Sequence, residues 1–322
     1  VVYFANSGGY LTSADWSLQT GVFQVAASGG PSRLITDDGS NPHFGSSNDR
    51  LFVTRYGEGG RQLVSIDLNG EKPRIHAVGE HLVQYEVAPD ERHFAFRQNY
   101  NIYVLPLPPG GKPLSVSTSV SSVTMTRASG DGGNYPHWSG DSSSLAWTLG
   151  ATLYNASIDE LFAVADDEGE GGYEAPADGV SLSMTLSADV PSSVVALVGA
   201  RVITLAGDDS GVIENGVVVV DGNRISAVGA AGTVAIPADA IEVDVSGKTI
   251  VPGFIDAHAH GSSGVGMIPE QNWMTYATLA FGVTTIHDPS NDATEIFAAS
   301  EMQRAGTILA PRIFSRPRVR EA

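Results

Sequence analysis

Gly247-Lys248-Thr249-Ile250-Val251-Pro252-Gly253-Phe254-Ile255-Asp256-Ala257-His258-Ala259-His260 is the stretch on which the reading of this chain turns. It opens on a turn pair, Gly247-Lys248, and runs through a short β-rich piece to Pro252-Gly253. It then runs on as a strand that carries two histidines one residue apart. In a strand, residues i and i+2 face the same side. A strand through this stretch therefore projects His258 and His260 together, with Asp256 on the same face. Two neutral imidazoles side by side suit Zn2+ or a similar borderline divalent metal. The chain has no cysteine, so any metal has to be held by histidine and carboxylate. Taken alone, a His-X-His pair also fits a turn or a wet surface, and its weight comes from its surroundings.

Upstream, Val194–Val198, Arg201–Leu205, Gly216–Val220, Arg224–Val228 and Ile241–Val245 are short β-rich runs. Asp221-Gly222-Asn223 forms a hairpin turn between two of them. Together they read as a small β-sandwich over residues 194–250. Downstream, 269–281 reads as a helix with Trp273, Tyr276, Leu279 and Ala280 at helical spacing. A strand follows over 282–288, a second helix over 293–305 stopped by Gly306, and a third strand starts at Arg312-Ile313-Phe314-Ser315. The loop Gly261-Ser262-Ser263-Gly264-Val265-Gly266 lacks the lysine and helix start of a phosphate loop.

This order of elements, with Pro-Gly-Phe-Ile-Asp-Ala-His-Ala-His at its centre, closely resembles the amidohydrolase superfamily over about residues 194–314. Members of its imidazolonepropionase-like and aryldialkylphosphatase-like branches, including metal-dependent dipeptidases, share this layout. The resemblance implies a metal-dependent hydrolase that cleaves C–N bonds in a small amide, cyclic amide or peptide with metal-activated water. It implies one or two divalent ions, Zn2+ first among them, with His258 and His260 as ligands and Asp256 supporting the site from behind. His287 and Asp288, at the end of the second barrel strand, are candidate substrate contacts, because the C-terminal strand ends form the mouth of such a barrel. Segment 251–322 is then the start of a (β/α)8 barrel. The resemblance also implies ligands and a general base from strands four to eight. Only about 70 residues follow the motif, and a full barrel takes about 250, so no catalytic base is assignable and the barrel is expected to be incomplete. The tail Ser315-Arg316-Pro317-Arg318-Val319-Arg320-Glu321-Ala322 turns basic and is expected to mark a truncated or frameshifted end. The start at Val1, without Met or signal peptide, is expected to be processed or truncated.

The first half repeats. Phe44–Thr54, Val87–Arg97 and Trp138–Thr148 align without gaps, offset by 43 and then 51 residues, near the spacing of four-stranded propeller blades. Each has an apolar start, a polar turn and an apolar strand. A second alternating strand ending in turn residues follows each at Gln62–Gly70, Asn101–Gly111 and Thr152–Ser157, and Gly21–Gly30 reads the same way. Ala88-Pro89-Asp90-Glu91 and Ser139-Gly140-Asp141-Ser142 are imperfect copies of the Trp-Ser-Pro-Asp-Gly turn, so residues 1–163 resemble about four TolB-type β-propeller blades, an arc rather than a closed ring. His43 and His137 recur before the repeat's first aromatic and read as structural. Residues 164–193 read as a linker. Its run Asp166-Asp167-Glu168-Gly169-Glu170-Gly171-Gly172 lacks the ligand spacing of a calcium loop.

The whole is expected to be multidomain and mostly β: a partial propeller, then a small β-sandwich leading into the first units of an incomplete barrel. With 36 acidic against 18 basic residues and a net charge of −18, nucleic acid is disfavoured as a partner. No apolar run is long enough to span a bilayer. The expected partner is a small-molecule or peptide substrate, with oligomerisation left open. Composition leaves the compartment unknown, and the TolB-type resemblance favours a periplasmic or exported setting. The second reading is a non-catalytic binding or scaffold protein that carries a vestigial amidohydrolase segment.

Overall fold

The computed structural model describes residues 2–5, 21–117, 123–164, 171–207, 211–260, 268, 270–289, 291 and 293–316. Most of the acidic linker run, the glycine-rich loop 261–266 with Gly261, Ser262 and Gly264, and the basic tail from residue 317 lie outside the described residues. The chain is mostly β and divides into two compact units, Val1–Ser183 and Met184–Ala322.

The first unit consists of four sheets. The first pairs β1 (Val2–Ala5), β2 (Gly21–Gln24) and β3 (Arg33–Thr36) antiparallel. The second is a meander of β4 (Ser40–Phe44), β5 (Arg50–Gly57), β6 (Gly60–Asp67) and β7 (Arg74–Gly79). The third contains β8 (Leu82–Val87), β9 (His93–Gln98) and β10 (Asn101–Pro106). The next strand, β11 (Leu114–Ser115), runs back to pair with β7, and β12 (Thr126–Arg127) completes the third sheet. The fourth contains β13 (Asn134–Trp138), β14 (Ser144–Leu149) and β15 (Thr152–Ser157). The one-turn helix α1 (Ile158–Leu161) and then β16 (Val180–Ser181) follow. β16 pairs with β15, so Val180 and Ser181, within the segment 164–193 read as a linker, supply the fourth strand of a sheet.

Each sheet is apolar on the faces it turns to its neighbours, and three cores fill the gaps in chain order. Val22 and Ile35 meet Leu51, Val53, Val64 and Ile66. Phe52, Leu63 and Ala77 meet Tyr85, Val87, Phe94, Phe96 and Leu105. Ala95, Ile102 and Val104 meet Trp138, Leu145, Trp147 and Ala156. Phe96 and Trp147 are essentially without exposure; burying one such ring contributes about 2–3 kcal/mol.

The sequence repeats fall on equivalent places: the end of one strand, a turn, and the next strand. In both complete turns the first residue's N–H donates across the hairpin, Ala88 to His93 O and Ser139 to Ser144 O, each at 2.9 Å. The aspartates at 90 and 141 each hold the N–H two residues on. The next position carries Glu91 at φ +58° and Ser142 at φ +62°, where the resembled repeat has glycine. A non-glycine residue in that left-handed region costs about 1–2 kcal/mol. Both side chains reach an adjacent sheet: Glu91 Oε1 accepts from Ser46 N–H and hydroxyl at 2.9 Å, and Ser142 Oγ accepts from Asp90 N–H at 3.0 Å. His43 is stitched in the same way, its Nε2 accepting from Val87 N–H at 3.0 Å with Nδ1 at 2.9 Å from Asn41 O. His137 is exposed.

In the second unit, β17 (Val194–Ile203) is the centre of one mixed sheet. It pairs antiparallel with β18 (Val212–Asp221) and parallel with β20 (Ile241–Asp244) and β21 (Thr249–Ile250), while β19 (Arg224–Ala230) flanks β18. Among the described residues, the strands of the segment expected as a small β-sandwich pair into one five-stranded sheet. Register shifts beside Gly199 and Arg201 in β17 let this sheet feed two apolar clusters. One is built on Ala196, Val217 and Val219, the other on Ala200, Val202 and Val218. The β18–β19 hairpin turns on Gly222 at φ +58°; a Cβ there would stand 2.8 Å from Pro191 O.

A three-stranded parallel sheet follows, in sequential order: β22 (Phe254–Asp256), β23 (Val283–Asp288) and β24 (Arg312–Ser315), joined through α2 (Trp273–Ala280) and α3 (Ala293–Ala305). Ile286 and Ile313 pack on Ile296 and Ala299 of α3 and on Ile308 and Ala310. α2 differs from the sequence reading. Its N-cap is Asn272, whose side chain accepts from Met274 N–H at 2.9 Å. The buried residue is Thr275, within 3.0 Å of Leu309 O, while Trp273 and Tyr276 lie outward. The hydroxyl satisfies a loop carbonyl that no apolar side chain could, and this sets the helix rotation.

Candidate functional site

β22 is shorter than the motif. It ends at Asp256, and Asp256 Oδ1 accepts the backbone N–H of His258 at 3.0 Å. An aspartate holding the amide two residues ahead makes a local turn, so the chain leaves the strand at Ala257. His258 and His260 therefore do not share a strand face. They are brought together another way. Ala259 N–H donates to His287 O at 3.0 Å, which lays the turn against the end of β23. His287 Nδ1 stands 3.3 Å from Ala257 O on the same stretch. Held at both points, the loop packs the rings of His258 and His260 edge to face, with centroids 4.8 Å apart.

Asp256, read as a support behind the site, shapes the turn by accepting the His258 N–H. His287, read as a substrate contact, faces the backbone of the histidine loop. Asp288, read the same way, is buried at 1% exposure. Its Oδ2 accepts from Asn291 Nδ2 at 3.1 Å, its backbone carbonyl accepts from the Ser315 hydroxyl at 2.7 Å, and its Oδ1 lies 3.4 Å from His260 Nδ1. The Asp288–His260 contact was not legible beforehand: the residues are 28 apart, and only the parallel pairing of β22 with β23 joins them. The nearest sequence signal was the carboxylate closing an otherwise apolar strand.

The donor set fits part of a divalent metal centre. Two imidazoles present nitrogen, and one of them has a buried carboxylate at its other nitrogen, the arrangement that orients histidine ligands in metal sites. Among the described residues no group of three or more His, Cys, Asp or Glu converges to hold an ion.

No family model matches the chain. No curated protein matches it. Solved structures do. A protein assigned as a prolidase from Bifidobacterium longum is 26% identical over 41% of this chain and 33% of its own, with a TM-score of 0.33. A prolidase complexed with N-methylphosphonate-L-proline is 28% identical over 39% and 32%, with a TM-score of 0.30. Molinate hydrolase is 22% identical over 39% and 30%, with a TM-score of 0.31. The chain spans about a third of the length of each. TM-scores at this level carry no argument about shared shape, so the functional reading rests on the residues.

Proposed function

We propose that the second unit carries the opening elements of a metal-dependent amidohydrolase, with His258 and His260 as metal ligands. The observation that carries this is the pairing of the two imidazoles at the end of the first strand of a parallel βαβαβ sheet, with one of them backed by buried Asp288. When bound, a zinc-like ion supplies Lewis-acid polarisation of a carbonyl and a water acidified to near neutral pH. The chain's own residues hold the geometry: Asp256 fixes the turn, His287 anchors it from β23, and Asp288 backs His260. The substrate class is a small amide, cyclic amide or peptide. The sequential order of β22, β23 and β24 supports reading them as the first units of a (β/α)8 barrel. The stacking of four sheets of mainly antiparallel hairpins supports reading the first unit as TolB-type blades, and with them a periplasmic or exported setting.

Elemental analysis of the purified chain tests the metal reading. One zinc-like ion per chain, falling at least tenfold in affinity in His258→Ala, is the expected result. Metal-free protein with an intact circular dichroism spectrum would count against it. The absence, among the described residues, of a third converging ligand favours a second reading, a binding protein with a vestigial hydrolase segment, and that same result would support it.

A further inference from the structure

We propose that Asp288 is a positioning residue that holds the proton of neutral His260 on Nδ1 and so directs the Nε2 lone pair to the ligand position. The proposal rests on the metal-dependent hydrolase reading for its purpose, but its geometry stands apart from it. Asp288 is anchored on three sides. β23 carries its backbone, the Ser315 hydroxyl ties its carbonyl to β24 at 2.7 Å, and Asn291 donates to Oδ2 at 3.1 Å. With 1% exposure, its second oxygen is cut off from bulk water, and a buried carboxylate is costly unless donors face it. Close to Oδ1 stands His260 Nδ1, at 3.4 Å, on a ring about half exposed. This is longer than the usual range of about 2.7–3.2 Å for an N–H···O hydrogen bond, and such contacts in ligand-free sites often tighten when the site is engaged.

A neutral imidazole carries one proton. Placing it against Asp288 puts the lone pair on Nε2, at the far side of the ring. The ring cannot drift far, because Ala259 N–H is held by His287 O and the His258 ring packs edge-on against it. The carboxylate thus reads as an orienting group for His260 rather than as a group presented to substrate.

Nitrogen-15 NMR of the full chain with labelled histidine, recorded metal-free above the imidazole titration range, reports which nitrogen carries the proton. The expected result is the Nδ1–H form at His260. In Asp288→Asn, which keeps the volume and removes the charge, His260 should become a mixture of both forms while His258 is unchanged. Zinc affinity measured by calorimetry should fall about 10–100-fold. A proton on Nε2 of His260 in the unaltered chain would overturn the proposal. So would a folded Asp288→Asn chain with the same tautomer and zinc affinity within about twofold. The measurement on the unaltered chain decides the matter even if the variant fails to fold. A chain with Nδ1–H in place that binds no zinc would count against the metal reading while supporting the tautomer assignment.

Discussion

His76 on β7 is a half-buried imidazole whose Nε2 lies 2.8 Å from the Ser65 hydroxyl. Burial, with the guanidiniums of Arg74 and Arg50 nearby, pulls its pKa down to about 4 from an ordinary 6.5. The neutral form is thus favoured in the folded state. This contribution is complete above pH 6.5, is lost as pH falls through the window down to about 4, and levels below it. We expect the first unit to lose about 1–2 kcal/mol across that window from this residue, less than the full shift implies because the ring is partly solvated. Melting temperature against pH checks this: His76→Gln should flatten the slope between pH 6.5 and 4. At this scale the sequence was informative about residue identity and poor at geometry. His258 and His260 were legible as a pair, but the reason given, a shared strand face, does not hold. Asp256 spends its side chain ending the strand, and alternation of strand residues cannot register such a local bond. Asp288 was legible as a carboxylate at a strand end; its partner was not, because the pairing of β22 with β23 determines it.

The turns between β8 and β9 and between β13 and β14 were readable as repeats because Asp90 and Asp141 bracket them in the same way. What the sequence concealed is how Glu91 and Ser142 tolerate a glycine position. Each adds a bond to a neighbouring sheet, which offsets the strained backbone. Glu91→Gly should change stability by less than about 1 kcal/mol, because relief of strain offsets the lost bond to Ser46. Glu91→Ala should cost about 1–2 kcal/mol more than Glu91→Gly, since alanine keeps the strain and lacks the bond. Urea denaturation of the two variants gives the comparison; equal midpoints would rule the account out. β16 escaped notice for a different reason. Two residues, Val180 and Ser181, carry no alternation to detect, and only the edge of β15 makes them a strand. The α2 stripe was misassigned because a hydrogen bond from Thr275, rather than apolar spacing, decides which face is buried.

For the molecule as a whole, the mostly β, multidomain character was legible from glycine content, short apolar runs and repeats. The change in pattern near Val194 separated two kinds of architecture, and the parallel βαβαβ order followed the alternation of strand and helix signals downstream. Several short strands do not reveal whether a bulge bends one sheet or a loop starts another, so the pairing of the strands in 194–250 into one sheet was not legible. In the first unit, each core joins only consecutive sheets. That arrangement has a mechanical consequence. Gripped at Gly21 and Ser183 and drawn apart, the unit has, among the described residues, no core spanning all four sheets to share the load, so sheets should peel one after another from an end. Single-molecule stretching is expected to show successive ruptures, each releasing roughly 150 Å of chain for about 43–51 residues per sheet. One rupture releasing the whole unit at once would mean that the load is shared across the stack.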